Sequence, residues 1–299
     1  MAGYLSDLWV CDGSPKKLHK VVDGVIAATI GVNVPLATCV DKDNNVWSAA
    51  RDSNAVVKIT NNVVVQTVAV GTSPAYGMCI DKNNAVWVCN TKSNNVSKIE
   101  NGIVTATIAT GTFPTSIVAD KNNAIWVCST SGTVSKIARD VTSTVNLGKS
   151  YGLCVDRKNA IWVTLYDSAK VVKLVNGVVT ATIAVGVNPM GIVADLDNNI
   201  FITNGGSHTV TKIAKDSVIA TIGVNLRPSS ICVDKDNNIY IANSQSNNIS
   251  KIANGSIKPS TFSAGSFPYL YGDPTGMQYA MQFGVYAEKV GDQAMTGGL

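Results

Sequence analysis

Few residues in this chain could carry out chemistry. Its 299 residues include two histidines, His19 and His208, two glutamates, Glu100 and Glu288, and seven cysteines. General acid–base catalysis needs a titratable group beside its partner, and no local pairing of His with Asp or Glu stands out. The segments Asp41-Lys-Asp-Asn-Asn45, Asp195-Leu-Asp-Asn-Asn199 and Asp234-Lys-Asp-Asn-Asn238 resemble calcium loops. A calcium site takes six to eight oxygens, usually with a downstream bidentate carboxylate, whereas these segments offer about three and no Glu follows. They are expected to be tight turns in which Asp and Asn bond the backbone and tolerate left-handed φ. The cysteines fall into two series, Cys39, Cys79, Cys154 and Cys232, and Cys11, Cys89 and Cys128. With an odd number and no CxxC or Cys/His spacing, they read as small buried hydrophobes. No catalytic residue, metal or cofactor is expected.

The elements that position these residues are set by a repeat. An aromatic recurs at Trp9, Trp47, Trp87, Trp126, Trp162, Phe201 and Tyr240, at intervals of 38, 40, 39, 36, 39 and 39. An aspartate stands six residues before each of them from Trp47 on. A lysine recurs as Lys20, Lys58, Lys98, Lys136, Lys173, Lys212 and Lys251, and alternation with its apolar neighbours points it to solvent. Each unit holds four short β-branched runs bounded by Gly, Pro, Asn or Ser, which is a strand signature. Four strands in about 39 residues is the period of a β-propeller blade. The first unit lacks its opening strand, and Gly265-Ser-Phe-Pro-Tyr-Leu-Tyr-Gly-Asp273 supplies a matching one. The expectation is an all-β, seven-bladed β-propeller with three-plus-one closure between the N- and C-termini. The propeller would span residues 1–273, its split blade formed from 8–30 plus 266–273, with residues 269–273 as the closing strand. Residues 274–299 form a C-terminal extension.

Three elements carry a resemblance to known families: Pro189-Met-Gly-Ile-Val-Ala-Asp195, Asn123-Ala-Ile-Trp-Val127 and Val134-Ser-Lys-Ile137. They are similar to NHL and YVTN repeats, and most of all to the seven-bladed propellers of the virginiamycin B lyase type. Such motifs specify fold well and function poorly. The resemblance implies an enzyme site on the upper face with a histidine, glutamates and a magnesium ion. Neither Glu100, at the end of a third strand, nor Glu288, in the tail, matches that pattern, and His208 in Gly205-Gly-Ser-His208 cannot define an active site alone.

Two loop sets should rim the upper face. The loops between second and third strands would supply Arg51, Asp52, Asn90, Lys92, Tyr166, Asp167, His208, Asn243 and Gln245. The loops entering first strands would supply Tyr76, Phe113, Tyr151, Met190, Arg227, Tyr269 and Tyr271. The ligand-binding set expected from these is Tyr76, Phe113, Tyr151, Tyr166, Asp167, His208, Arg227 and Asn243, since aromatics among Asn, Ser and Gln suit sugar or protein binding. In the extension, Met277, Tyr279, Met281, Phe283 and Val285 alternate strictly and read as a strand with one apolar face, which either docks on a neighbour by strand addition or folds back on its own propeller.

Composition narrows the function classes. The chain is 45% hydrophobic and 15% charged with a net charge of +4, so disorder is excluded and a nucleic-acid partner is not expected. No apolar run reaches the ~18 residues of a membrane-spanning helix, so no membrane insertion is expected. The first residues show no basic or apolar leader pattern, which suits synthesis in the cytoplasm. The reading is a non-enzymatic binding or structural propeller within a larger assembly, in the form of a phage tail, fibre or decoration protein. Its partners would be other protein subunits, met through the tail and a propeller face, or a surface glycan. The alternatives are a lyase or lactonase-type enzyme and a carbohydrate- or protein-binding scaffold.

Overall fold

A computed structural model describes residues 7–273, apart from positions 15, 140 and 267. The chain forms seven antiparallel blades arranged in a ring, each of four strands. The first strand of each blade lines the central channel and the fourth lies at the rim. Among the described residues the only helical element is a 3-10 turn, Arg51–Ser53, and no helix is long and apolar enough to cross a membrane.

The recurring aspartate builds the lower face. In the second blade one oxygen of Asp41 accepts the backbone N–H of Asp43 and Asn45 at 3.0 and 2.8 Å, and the other accepts the Trp47 indole N–H at 2.9 Å. Asp81, Asp120 and Asp156 repeat the same three bonds to their own turns and to Trp87, Trp126 and Trp162. Donors therefore occupy the carboxylates in the manner of turn caps rather than calcium ligands. The fourth turn residue is Asn44, Asn84, Asn123, Asn159, Asn198 or Asn237, with φ of 63 to 66°, a region Asn tolerates. From Asn84 on, its side-chain oxygen also accepts a backbone N–H from the preceding blade, as in Lys82 N to Asn123 at 2.7 Å and Arg157 N to Asn198 at 2.6 Å. One residue type thus turns the hairpin and latches neighbouring blades.

The repeated lysines differ from a plain solvated face. Each stands directly across from the repeated aromatic, as in Lys136 opposite Trp126. From Lys58 to Lys251 the ammonium lies 5.1–5.7 Å over the aromatic ring, so the stem covers the ring and the charge meets its π face. The core lies between blades: Trp47 and Val56 pack with Met78 and Val88 of the next blade. All seven cysteines are buried within such layers and none is in a disulfide. Around the channel, neighbouring first strands approach so closely that a Cβ on Gly191 would sit 2.9 Å from the Ser230 Cα, which explains the glycine of the Pro-x-Gly motif.

The ring closes by three plus one strands, but the C-terminal contribution divides. Pro268–Tyr269 pairs with Leu8–Asp12 in the split blade, with Tyr269 opposite Cys11. Tyr271–Asp273 leaves that blade and runs parallel to the first strand of the second blade, Tyr271 opposite Ala37 and Asp273 opposite Cys39. The expected closing strand at 269–273 is thus cut to its first residue plus Pro268. Between the two pieces Leu270 is buried and donates its N–H to Ser230 Oγ of the seventh blade at 2.8 Å. Asp12 accepts the Ser266 N–H at 2.9 Å and lies 3.6 Å from buried His19. The last described residue, Asp273, stands near the lower end of the channel. The strip from Met277 to Val285 lies outside the described residues.

Candidate ligand-binding cavity

Two rings of residues, one step apart along the first strands, build the upper mouth of the channel. The residue before each Pro is held in left-handed backbone, with φ of 54° at Val34, 57° at Ser73 and Phe113, 53° at Asn188 and 55° at Arg227. For non-glycine residues this is uncommon and costs energy. Hydrogen bonds hold it there. The Arg227 carbonyl accepts the N–H and O–H of Ser244 at 3.0 and 3.1 Å, while its N–H donates to His208 Nδ1 at 3.1 Å. The residue after each Pro, or after its counterpart Ser150, projects inward, and this ring includes Leu36, Thr115, Tyr151, Met190, Ser229 and Tyr269.

The third blade breaks the pattern. From Pro74 to Asp81 is seven residues where the second and the fourth to seventh blades use six. The first strands of those blades slip by one residue against their neighbours just after the opening position, and Pro74–Ile80 slips by one more, between Pro74 and Met78. The inserted residue is Tyr76, with φ of 61°, whose ring packs with Tyr269 over Leu36. A bulge that re-aims a side chain into a cavity is a common device at binding sites.

The resulting cavity has a volume of about 390 Å³, within the ~300–1,000 Å³ range of small-ligand pockets. Tyr76, Tyr151, Tyr166, Tyr269, Phe113 and Met190 form its walls, with Thr115, Ser229, Ser244 and Gln245 between them. Tyr151 and Tyr166 lie 4.7 Å apart between centroids, and Tyr76 and Phe113 6.2 Å apart. Lys149 sits 5.0 Å over the Tyr166 ring and 3.6 Å from Asp167. Burial pushes the Tyr151 and Tyr269 hydroxyls above the ordinary tyrosine range, against the opposing pull of Lys149 on the first and of Arg227 and Arg51 on the second. Both therefore remain protonated hydrogen-bond donors at neutral pH.

Five of the eight expected ligand-binding residues line this cavity: Tyr76, Phe113, Tyr151, Tyr166 and Arg227. Asp167 stays on the rim, paired with Lys149. His208 stands behind Arg227, its ring taking the place of the Asn94 side chain that accepts the Phe113 N–H at 2.9 Å. Asn243 is fully buried, its amide donating to Asn248 and Ser250 at 2.9 and 2.8 Å, and so supports the loop. Thr115, Ser229, Ser244 and Lys149 were not singled out from the sequence. Ser229 and Thr115 hold the same repeat position as Tyr151 and Met190, a signal present in the alignment of units.

No carboxylate, imidazole or thiol is among the lining residues, and no cluster of His, Cys, Asp and Glu suited to a metal occurs among the described residues. The magnesium site implied by the resemblance therefore does not fit the residues present. No family model matches the chain, and no curated protein matches it. Among solved structures it is similar to a catalytically inactive variant of virginiamycin B lyase from Staphylococcus aureus with quinupristin, at 15% identity and TM-score 0.71, covering 77% of this chain and 84% of that one. A functionally unknown protein from Desulfotomaculum acetoxidans matches at 13% identity and TM-score 0.75, over 90% and 100%. A putative 6-phosphogluconolactonase from Bacteroides uniformis matches at 13% and 0.69, over 90% and 98%. These are likenesses of fold alone.

Proposed function

We propose that this chain is a binding propeller without chemistry of its own, which takes a ligand into the aromatic cavity at the upper mouth of its channel. The observation that carries this reading is the cavity lining: five aromatic rings, hydroxyls and an amide, without an acid, base or nucleophile of ordinary catalytic type. Rings interleaved with small polar groups favour sugars or a protein loop. The test is a binding screen of glycans and peptides on the full chain, repeated with Tyr151→Ala and Tyr269→Ala. Ligands lost in both variants support the reading. Turnover of quinupristin with magnesium added would overturn it in favour of a lyase.

The wider setting we favour is a subunit of a larger assembly, such as a phage tail, fibre or decoration protein. Support comes from the low-charge surface rich in Asn, Ser and Thr, and from the apolar alternation of Met277, Tyr279, Met281, Phe283 and Val285. Changing Tyr279, Met281 and Phe283 to Ser should abolish self-association or particle incorporation while leaving the melting transition intact. Unfolding of the monomer instead would remove that support.

A further inference from the structure

We propose that the ligand of the upper cavity is a carboxylate-bearing glycan, and that Arg227 is the residue that reads the carboxylate. This inference rests on the binding reading above. Arg227 is the one charged side chain among the lining residues. The nearby rim carboxylates are engaged elsewhere: Asp52 bonds Arg51 at 2.9 Å and Asp167 lies 3.6 Å from Lys149. Among the described residues no carboxylate pairs with the Arg227 guanidinium, which is exposed and close enough to Tyr269 to act on its hydroxyl. A guanidinium fork presents parallel N–H donors that match a carboxylate bidentately.

The backbone beneath this group is fixed. Three hydrogen bonds to His208 and Ser244 hold Arg227 in its left-handed conformation, so little main-chain freedom is lost when it engages an anion. His208 thereby acquires a positioning role.

The rest of the cavity favours a sugar over a peptide as the carrier of the carboxylate. The Tyr151–Tyr166 and Tyr76–Phe113 pairs offer ring faces on two walls, and Thr115, Ser229, Ser244 and Gln245 lie between them. A pyranose presents C–H faces for stacking and hydroxyl edges for hydrogen bonds, and so uses both kinds of surface.

The experiment titrates the full chain with uronate- and sialate-bearing oligosaccharides, their carboxyl-reduced neutral counterparts, and short peptides with a free C-terminal carboxylate. Tyrosine fluorescence and calorimetry are the readouts. Carboxylated sugars should bind about ten- to a hundredfold more tightly than their neutral counterparts, the range for one charge-assisted bidentate contact. Arg227→Gln should erase that preference, Arg227→Lys should restore part of it, and His208→Ala should weaken binding of acidic sugars while sparing neutral ones. Equal binding of acidic and neutral sugars, no effect of Arg227→Gln, or binding of the peptides alone would overturn the inference yet leave a binding cavity standing. Absence of binding across the whole panel would overturn both.

Discussion

Deleting Tyr76 should leave the propeller folded and destroy the cavity. The deletion turns Pro74-Ala-Tyr-Gly-Met-Cys-Ile-Asp81 into the Pro-x-Gly-x-x-x-Asp interval of the sixth blade, Pro189 to Asp195, so the strand can adopt the register used elsewhere. Relief of the left-handed backbone at φ of 61° contributes about 1–2 kcal/mol of stability. Against it stands the Phe113 ring pair at 6.2 Å, worth about 0.5–1.5 kcal/mol. The half-buried contact with Leu36 and Ala75 adds roughly 1 kcal/mol, a share of the value for full burial. The terms nearly cancel, and the net change should stay within about 1 kcal/mol, or roughly 2–4 °C in Tm. Calorimetry checks that figure, and titration with the best-binding carboxylated oligosaccharide checks the cavity, where affinity should fall at least about tenfold because one aromatic wall is gone. Tyr76→Gly, which relieves the backbone without changing register, should also keep the fold. A loss above about 3 kcal/mol on deletion, or unchanged ligand affinity, would show that Tyr76 is a structural wedge and that the insertion does not serve binding.

Asp120→Ala should cost about 3–5 kcal/mol, since it removes three hydrogen bonds to a carboxylate and orphans the buried Trp126 indole N–H. Asp195→Ala should cost less by about 1–2 kcal/mol in a denaturant titration, because its second oxygen takes the half-buried Asn199 amide N–H at 2.7 Å rather than a buried indole N–H, and equal losses would refute the role given to the indole bond. Burial raises the Asp195 carboxyl above the ordinary value of 3.8, with bonds from Asn199 opposing. The folded state therefore holds that proton more tightly than the unfolded state. Ionised Asp195 then costs stability that is recovered as pH falls from above its native value to below 3.8. Wild type should accordingly gain on Asp195→Asn across that window. Truncation after Gly265 removes the Cys11–Tyr269 pairing, the buried Leu270 and the Ser266 bond to Asp12, and should cost several kcal/mol out of a typical ~5–15. Melting like the full-length chain would refute the closure. Native protein at pH 8 should resist thiol reagents, because burial holds Cys11, Cys89 and Cys154 far above the usual thiol range and pushes Cys128 up to about 11, whereas denatured protein should titrate seven. Rapid labelling of the native chain would contradict the buried state.

The alignment of units places Tyr151, Met190 and Tyr269 at one repeat position, and the 40-residue interval between Trp47 and Trp87 carries the mark of the Tyr76 insertion. His208 stands in a turn and Asn243 ends the strand Ile239–Asn243, both at positions that reach the upper face. Local pattern cannot distinguish a side chain aimed at solvent from one folded back on its surroundings, as His208 is on the Arg227 N–H and Asn243 on the Asn248 and Ser250 side chains.

The period, the strands and the blade number are legible in the residue pattern alone. These depend on short-range chemistry: β-branched runs, the Asp that caps its own turn, and the Asn that accepts a left-handed φ. The same pattern shows which residue types stand at each mouth of the channel. Where the closing strand goes is not legible in that pattern, because residues 268–273 divide between two neighbouring edges, with Leu270 bonded to Ser230 and Tyr271 opposite Ala37, both far away in the chain. Contacts in the folded chain likewise settle that the repeated lysines from Lys58 on cover aromatic rings, and that Arg227 faces the cavity while His208 stands behind it. The first and the last of these turn on contacts between blades, whose geometry no single unit contains.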